Sequence, residues 1–398
     1  MFAAQFANAP MKERATVKIL IAAGAFKQSL TAADACAAIA RGLEQSGLGA
    51  ELEQLPIADG GNGTLDALLA AGGERVTVPV RDPLGRPIHA DYGLLDGGRT
   101  AVIEMALASG LELLRPGELN PMAASTYGTG QLLADALERG AERFIIGLGG
   151  SATVDGGMGC LQALGLRLLD ARGRDVAAGG AGLAQIATFD ATGMDPRWQR
   201  AQIVIASDVD NPTLGARGAA RVFGPQKGAD AAMVEQLERN LGQCFTRLFE
   251  QRGVDVRYVK GGGAAGAFAA GLMAFLSCEI VSGIDLVLAQ NRFAEKLAQS
   301  ALVITGEGQI DAQTLGGKGP LGVAKLAAEQ GVPTIAIVGG LNIDDAELHA
   351  AGVQAAFSIV DKPMPLQAAL DDAGDLLRRA ALRLGYVLKL TRRPLHKA

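Results

Sequence analysis

Short apolar runs alternate with helical segments at both ends of the chain, and glycine-rich loops join them. The first run covers residues 17–22 (VKILIA), and residues 32–45 are predicted to form a helix with Thr31 as its N-cap. Residues 51–56 are predicted to form a second strand, and residues 66–71 a second helix. This alternation predicts an α/β fold with a doubly wound parallel sheet.

The alternation changes in the middle of the chain and returns later. After Val76, turn signals at DPLG and DGG predict a short antiparallel meander, and a second α/β section follows it. From Ala301 onward, the runs LVIT, TIAIVG and AAFSIV repeat the character of the first strand, and a final helix is predicted at 366–384. We therefore expect these later strands to share one sheet with residues 17–22.

Two α/β domains follow from this arrangement. Residues 1–16 are predicted to be a disordered extension. Residues 17–76 and 290–398 are predicted to form a discontinuous, Rossmann-like domain built on a doubly wound parallel sheet. Residues 77–289 are predicted to form a second, mixed α/β domain inserted into the first.

Charge and hydropathy argue against several classes of protein. Lys and Arg total 37 against 42 Asp and Glu, a net charge of −5 without a basic block, so no nucleic-acid partner is expected. The longest apolar run, 264–276, has about 13 residues, whereas roughly 20 are needed to span a bilayer, so no membrane partner is expected. The four cysteines are far apart and lack zinc-ligand spacing, which favours reduced thiols and a cytoplasmic location.

Glycine is abundant in this chain and histidine is scarce, with 54 and 3 residues respectively. This composition predicts chemistry based on backbone amides, carboxylates and lysines, and it argues against a Ser-His-Asp hydrolase. Seven polar, glycine-rich segments follow predicted strands or precede helices: GAFKQSL, ADGGNGT, STYGTG, GLGGSATVDGG, SDVDNP, FGPQKG and GEGQIDAQTLGGKG. Because ligands of open α/β sheets bind at the carboxyl ends of strands, we expect these loops to share one ligand site.

The segment GLGGSATVDGG, which follows the predicted strand at 144–146, is a candidate anion-binding loop. Glycines allow backbone N–H groups to approach an anion closely, and Ser151 and Thr153 add hydroxyl donors. The alternative is a glycine turn that is needed only for packing. The same segment matches a dinucleotide fingerprint loosely, at Gly147, Gly149 and Ala152, which leaves an NAD(P)-dependent hydroxy-acid dehydrogenase as a second interpretation.

Carboxylates and lysines also lie in these loops. The carboxylates are Asp59, Asp155, Asp208, Asp210, Glu307 and Asp311, and the lysines are Lys27, Lys227 and Lys318. Carboxylates in this setting hold Mg²⁺ or accept a proton from an attacking hydroxyl, and lysines neutralise phosphate charge. The alternative for single residues is a turn or N-cap aspartate, or a solvated surface lysine.

These segments closely resemble the bacterial type I glycerate kinase (glycerate 2-kinase) family. The matching stretches include FKQSL, ADGGNGT, VIEMALASGLELL, IIGLGGSATVDGGMG, SDVDNPTLG, FGPQKGA and LVITGEGQIDAQTLGGKGPLGVA, in family order over about residues 17 to 385. The resemblance implies two α/β domains, ATP as phosphate donor, Mg²⁺, and D-glycerate as acceptor. It further implies phosphorylation of the 2-hydroxyl to give 2-phosphoglycerate.

The chain departs from the family pattern in several loops. Gly24 and Ala25 replace an Asp-Ser pair, Asn62 replaces Glu, Val154 replaces Asn, and Gly319 replaces Ala or a similar residue. If the missing Asp binds substrate or metal, these departures predict a catalytically impaired glycerate-binding relative, which we keep as an alternative.

The loops and the resemblance together give predicted roles. The predicted catalytic residues are Asp59, Asp155, Lys227 and Lys318. The predicted substrate-binding residues are Lys27, Ser29, Asn62 and Thr129. The predicted nucleotide- and phosphate-binding residues are Gly149, Gly150, Ser151, Thr153, Glu307 and Asp311. The predicted metal ligands are Asp208 and Asp210. A homodimer is a possible assembly.

Overall fold

The computed structural model of the chain describes residues 17–70, 72–311, 314 and 319–390. These residues belong to two compact units, which we call unit 1 (Met1–Ala58 and Val287–Ala398) and unit 2 (Asp59–Leu286). The predicted extension at 1–16 lies outside the described residues.

The secondary structure alternates as the sequence indicates. The strands in chain order are β1 (Lys18–Ala23), β2 (Glu51–Gln54), β3 (Glu74–Arg81), β4 (Pro87–Leu95), β5 (Thr100–Glu104), β6 (Arg143–Gly147), β7 (Arg167–Leu169), β8 (Thr188–Asp190), β9 (Gln202–Ala206), β10 (Cys278–Val281), β11 (Leu302–Gly306), β12 (Gln309–Asp311), β13 (Thr334–Val338), β14 (Gly340–Asn342) and β15 (Val353–Ser358). The α-helices in chain order are α1 (Ala32–Gln45), α2 (Thr64–Leu69), α3 (Ala106–Ser109), α4 (Tyr127–Glu138), α5 (Met158–Ala163), α6 (Ala219–Phe223), α7 (Ala231–Arg252), α8 (Ala264–Met273), α9 (Gly283–Gln290), α10 (Phe293–Leu297), α11 (Gly319–Glu329), α12 (Asp345–Ala350), α13 (Leu366–Asp371) and α14 (Ala373–Leu390).

Unit 1 is built on a five-stranded, fully parallel sheet with the order β15-β13-β11-β1-β2. The later apolar runs therefore do share one sheet with the first, as expected. Leu20 and Ile21 in β1 have no exposed surface, which explains why this strand is a continuous apolar run and not an alternating one. The helix predicted at 32–45 and its N-cap are confirmed, because the Thr31 hydroxyl accepts a hydrogen bond from the Asp34 N–H at 3.1 Å.

The prediction of one final helix was wrong. The structure has two helices, α13 and α14, with Asp372 between them at φ −97° and ψ 8°. The Asp372 N–H closes α13 on the Ala368 carbonyl, and the Asp372 carbonyl accepts the Leu376 N–H of the next helix. Adjacent aspartates favour this break, since their short side chains compete with helical hydrogen bonding.

Unit 2 is built on a six-stranded mixed sheet with the order β10-β9-β6-β5-β4-β3. The predicted meander is confirmed, because β3 pairs with β4 and β4 with β5 in antiparallel fashion, while β5, β6, β9 and β10 are parallel. The core of the unit packs Phe144 against Trp198, with ring centroids 5.0 Å apart.

The compact units divide at residues 58 and 286, whereas the sequence placed the boundaries at 76 and 290. The reason is that residues after Ala58 pack within unit 2. Helix α2 lies against β4 and β5, and the space above Gly93 in β4 is filled by the side chains of Leu65 and Leu69. Alternation of strands and helices in the sequence does not reveal which sheet a short helix covers.

The four parallel strands of unit 2 end at the same level. Glu104 of β5 aligns with Gly147 of β6, Gly147 with Ala206 of β9, and Ala206 with Val281 of β10. The loops that follow these strands therefore lie along one edge of the sheet, where α/β proteins bind ligands.

We expect Gly42→Ala to destabilise unit 1. A Cβ at Gly42 of α1 would lie 2.2 Å from the Arg378 carbonyl oxygen of α14, so the two helices would have to move apart. The expected loss is about 1–3 kcal/mol of unfolding free energy, measured by urea denaturation. Gly242→Ala in α7 is the matched control, because nothing lies within 4 Å of a Cβ there. It should be neutral or stabilise by up to about 1 kcal/mol, and equal effects of the two variants would contradict the packing argument.

Candidate active site

Two glycine loops of unit 2 pack backbone against backbone at the carboxyl edge of its sheet. The Gly149 N–H donates to the Gly60 carbonyl at 3.0 Å, and a Cβ at Gly149 would lie 2.2 Å from the Gly61 Cα. A Cβ at Gly60 would likewise lie 2.5 Å from the Ala206 carbonyl oxygen. Packing alone therefore requires glycine at residues 60 and 149, and the Gly149 N–H is not available to a ligand.

The loop from Gly147 to Gly157 is held by the carboxylate of Asp155, which is 1% exposed. Its Oδ2 accepts hydrogen bonds from the Thr126 N–H and hydroxyl, both at 2.8 Å, and from the Gly159 N–H at 3.3 Å. Its Oδ1 accepts from the Gly157 N–H at 3.1 Å. Burial raises the pKa of Asp155, and these hydrogen bonds act in the opposite direction. Asp155 is therefore a positioning residue, which ties the loop to the starts of α4 and α5.

Lys227 reaches the same loop from a 3-10 helix at Pro225–Lys227. Its Nζ donates to the Ser151 Oγ at 2.8 Å and to the Thr153 carbonyl at 2.7 Å, and the residue is 1% exposed. Burial lowers the pKa of Lys227 to about 7, while the negative charge of Asp155 acts in the opposite direction. The Thr153 hydroxyl is buried and has no hydrogen-bond partner among the described residues.

The charge of Asp59 acts on Asp208, which lies in a different loop. Asp59 is exposed, and its Oδ1 accepts from the Gly61 N–H at 3.2 Å. Asp208 accepts from the N–H groups of Gly283, at 3.0 Å, and Ile284, at 3.4 Å, at the start of α9. Burial raises the pKa of Asp208, a hydrogen bond from Ser282 lowers it, and the charge of Asp59 raises it.

Asp210, the second predicted metal ligand, lies in a different environment. Its Oδ1 forms an exposed ion pair with Arg217 at 2.9 Å. The described residues contain no cluster of three or more His, Cys, Asp or Glu side chains arranged to hold a metal ion. Asp208 is influenced by the carboxylate of Asp59. Asp210 instead pairs with the cationic side chain of Arg217.

The two substrate-binding residues predicted in unit 2 differ in accessibility. Asn62 is exposed, and its Nδ2 donates to the Glu112 Oε1 at 3.0 Å. Thr129 has no exposed surface, and its hydroxyl pairs with that of Ser109 at 2.7 Å in the interior. The position of Thr129 is that of a core residue of α4.

Several predicted residues belong to unit 1. Lys27 is exposed in the turn after β1, and the Ser29 hydroxyl donates to the Phe26 carbonyl at 3.0 Å. Glu307 follows β11, and Asp311 ends β12. Lys318 lies outside the described residues. The ligand-binding roles of these residues stay predictions.

Glu104 is a site residue that the sequence reasoning missed. It ends β5, is 4% exposed, and accepts hydrogen bonds from the N–H groups of Gly63, at 3.1 Å, and Leu65, at 3.1 Å. Burial raises the pKa of Glu104, against the effect of these hydrogen bonds. Glu104 thereby anchors the loop that carries Asp59 and Asn62. The available signal was a lone carboxylate ending an apolar strand, in the sequence VIEM.

The contacts of unit 2 connect most of its predicted site residues through neighbouring loops. The connected residues are Asp59, Asn62, Gly149, Gly150, Ser151, Thr153, Asp155, Asp208 and Lys227. The dinucleotide-fingerprint interpretation requires a helix directly after the glycines. Gly156 and Gly157 instead have positive φ values of 63° and 71°, and α5 begins only at Met158.

Comparisons with known proteins agree with this fold. The glycerate kinase family profile matches residues 19–389. A glycerate kinase of Bacillus subtilis (strain 168) is 44% identical over 377 residues, which cover 94% of this chain and 99% of that protein. A glycerate 2-kinase of Escherichia coli (strain K12) is 43% identical over 376 residues, which cover 94% and 98%. The crystal structure of a Salmonella typhimurium LT2 protein assigned as glycerate kinase 2 superposes with a TM-score of 0.82 at 43% identity, covering 94% of this chain and 99% of that one.

The family profile and these relatives identify the chain as a kinase, an enzyme that transfers phosphate to an alcohol group. The chain belongs to the glycerate kinase family. The resemblance seen in the loop motifs is thereby confirmed.

We expect Gly149→Ala to separate the two glycine loops, because its Cβ would meet the Gly61 Cα at 2.2 Å. The variant should lose about 1–3 kcal/mol of unfolding free energy and most of its kinase activity. Gly61→Ala is the control from the same loop pair, since its Cβ would have only the Asp59 side-chain oxygen, at 3.1 Å, closer than 3.4 Å. Urea denaturation should show a small loss for this control. A large loss of unfolding free energy for Gly61→Ala with none for Gly149→Ala would contradict the conclusion that the loops meet most tightly at Gly149.

We expect Asp155→Asn to destabilise unit 2 by about 2–4 kcal/mol. The amide NH₂ that replaces one carboxylate oxygen is a donor, so it cannot accept the hydrogen bonds that the buried N–H groups now donate to that oxygen. Asp210→Asn is the matched control, since its carboxylate makes an exposed ion pair worth about 0–1 kcal/mol. Thermal unfolding of both variants, followed by circular dichroism, checks the difference. Equal unfolding temperatures would show that Asp155 does not hold the loop.

Proposed function

We propose that this enzyme transfers the γ-phosphoryl group of ATP to the 2-hydroxyl of D-glycerate, giving 2-phosphoglycerate and ADP. Membership of the glycerate kinase family over nearly the whole chain supports glycerate as the acceptor. The relative named glycerate 2-kinase, at 43% identity, supports the 2-position.

One observation of the structure supports phosphate chemistry most directly. Ser151, Thr153 and the Lys227 ammonium are gathered in a buried loop at the carboxyl end of a parallel strand. Phosphoryl transfer requires alignment of the reactants and stabilisation of negative charge, and little covalent chemistry from the protein. A preorganised set of hydroxyl donors beside a cation meets that requirement. We therefore assign phosphate binding to this loop.

Mg²⁺ fits the residues at the neighbouring loops. Asp59 raises the pKa of Asp208, as expected for two carboxylates close enough to repel each other, and a cation would relieve that repulsion. Mg²⁺ prefers carboxylate oxygens, and protein sites commonly supply one or two of them while phosphates and water complete the shell. We assign Asp208 as the residue that would hold the ion. The ion would neutralise charge on the phosphates when bound.

We assign orientation of the glycerate hydroxyl to Asp59. Of the two predicted proton acceptors, Asp155 is buried and engaged by amide and hydroxyl donors, whereas Asp59 is exposed. An accessible carboxylate can accept a hydrogen bond from the attacking hydroxyl and take its proton as the phosphorus–oxygen bond forms. Asp155 acts on this chemistry only by shaping the phosphate loop.

The catalytically impaired relative stays a second candidate because of two departures. Asn62 is engaged by Glu112, so a glutamate at this position would face a like charge. A Cβ at Gly24 would make only ordinary van der Waals contacts, the nearest with the Gly306 carbonyl oxygen at 3.7 Å. A clash at the Cβ therefore does not explain why glycine replaces the aspartate of the family pattern.

We further propose that the enzyme works in the cytoplasm on a small-molecule substrate. Cys36, Cys160 and Cys244 are buried thiols, and burial raises the pKa of Cys36 and Cys244 to about 12, which makes them poor nucleophiles. No helix in the described ranges combines the length and the apolar character needed to cross a membrane. The homodimer stays a prediction.

A coupled assay of ADP release tests this function. We expect release that depends on D-glycerate and on added Mg²⁺, with phosphorus NMR locating the phosphate on the 2-oxygen. Asp208→Asn should lower kcat/KM by at least about tenfold, and the control Asp210→Asn should leave it near the wild-type value. Undiminished turnover in Asp208→Asn would remove this residue from the metal site.

The same assay separates the impaired relative from an active kinase. An impaired relative would bind D-glycerate in a calorimetric titration without releasing ADP, and Gly24→Asp, whose Cβ meets no clash, should then restore turnover. A wild-type enzyme that turns over steadily with D-glycerate excludes this alternative.

A further inference from the structure

The hydrogen bond between Lys227 and Ser151 has a defined direction. An ammonium group has three N–H donors and no acceptor, so the Ser151 oxygen must accept from the protonated Lys227 Nζ at 2.8 Å. The hydroxyl proton of Ser151 must then point away from the lysine. Protonated Lys227 therefore directs the Ser151 hydroxyl to donate its proton to a group other than the lysine.

The loop offers these donors no acceptor of its own. Among the described residues, nothing accepts the Ser151 hydroxyl proton, and the Thr153 oxygen is buried without any partner. Gly150, next to Ser151, is exposed, so the loop reaches solvent at this point. A buried polar group without a partner calls for an explanation such as an absent ion, and two hydroxyl groups without acceptors two residues apart in one loop fit an anion.

Lys227 itself is poorly placed to meet the anion. It is 1% exposed, and two of its three donors are used by the Ser151 Oγ and the Thr153 carbonyl. Ser151 is 5% exposed. Its hydroxyl is bonded to the lysine, and the residue before it in the chain, Gly150, is exposed. An effect of Lys227 on a bound phosphate is therefore expected to pass through Ser151.

We infer that Lys227 is a positioning residue that orients the Ser151 hydroxyl as a donor to a phosphate oxygen of ATP, without contacting that phosphate. This inference rests on the proposed function, since it names the residue through which the phosphate loop acts. It changes the predicted role of Lys227 from direct charge neutralisation to control of a hydrogen-bond direction.

The orientation depends on the proton that Lys227 carries. A neutral amine has a lone pair and can accept the Ser151 proton, which turns the hydroxyl inward and removes a donor from the phosphate. Burial lowers the pKa of Lys227 to about 7, and Asp155 is the charged group in the described part of the chain that acts on it, in the opposite direction. Phosphate binding should therefore weaken as the pH rises above about 7, because the folded enzyme loses this proton there.

The pH profile of Ser151→Ala tests the inference. We expect wild-type kcat/KM for ATP, at saturating D-glycerate and Mg²⁺, to fall between about pH 7 and pH 9. Ser151→Ala should be less active at about pH 6 and should lack this fall, because no hydroxyl remains to be oriented. A fall of the same size in Ser151→Ala would overturn the inference, since Lys227 would then act on the phosphate directly.

A double-mutant cycle gives an independent test. If Lys227 acts through Ser151, the variant with both Lys227→Met and Ser151→Ala should match Lys227→Met within about twofold in kcat/KM. Fold losses that multiply would show that the two residues act separately and would overturn the inference. Far-UV circular dichroism and thermal unfolding check that each variant is folded. Where Lys227→Met does not fold, the Ser151→Ala profile, which truncates a single hydroxyl, still decides the question.

Failure of the proposed function would look different. If the wild-type enzyme releases no ADP with D-glycerate at any pH, the proposed function fails while the inference is tested by binding alone. Calorimetric titration with ATP and Mg²⁺ should then show affinity that weakens above about pH 7 in the wild type but not in Ser151→Ala. Identical pH dependence of ATP affinity in both proteins would overturn the inference by itself.

Discussion

The buried carboxylate of Asp155 is the interaction on which the candidate site depends. It accepts four hydrogen bonds from groups at the beginnings of α4 and α5, and so fixes the loop that follows β6. A buried charge is costly unless donors surround it, and here they are backbone amides and one threonine hydroxyl. These bonds hold the loop that carries Ser151 and Thr153, and a site that stabilises developing charge requires such preorganisation.

The glycine excess has two physical causes in this structure. At residues 60 and 149, glycine is needed because loops meet backbone to backbone, with no room for a Cβ. At Gly156 and Gly157, it is needed because φ is positive, which delays the start of α5 until Met158. In the proposed function, the hydroxyls of Ser151 and Thr153, beside buried Lys227, would supply the polar groups for phosphate. Packing and function are thus complementary explanations of the same glycine-rich loop.

Patterns of neighbouring residues predicted most of the secondary structure and the sheets. The site was harder to predict, because its residues are held by contacts between distant parts of the chain. The apolar run at β1, the N-cap Thr31 and the antiparallel meander each follow from neighbouring residues, and the structure confirms them. The partners of Asp155 and Glu104 lie up to 41 residues away, so no local signal shows that these carboxylates hold loops in place. The two helices after residue 365 also required more than periodicity, because a single aspartate divides them.

A crystal structure with a non-hydrolysable ATP analogue, Mg²⁺ and D-glycerate tests the central claim most directly. The account predicts a phosphate oxygen within hydrogen-bond distance of the Ser151 Oγ, with the Lys227 Nζ still bonded to that serine and Asp155 still bound to the Thr126 amide. Phosphates held elsewhere, with the Ser151 hydroxyl contacting none of them, would contradict it.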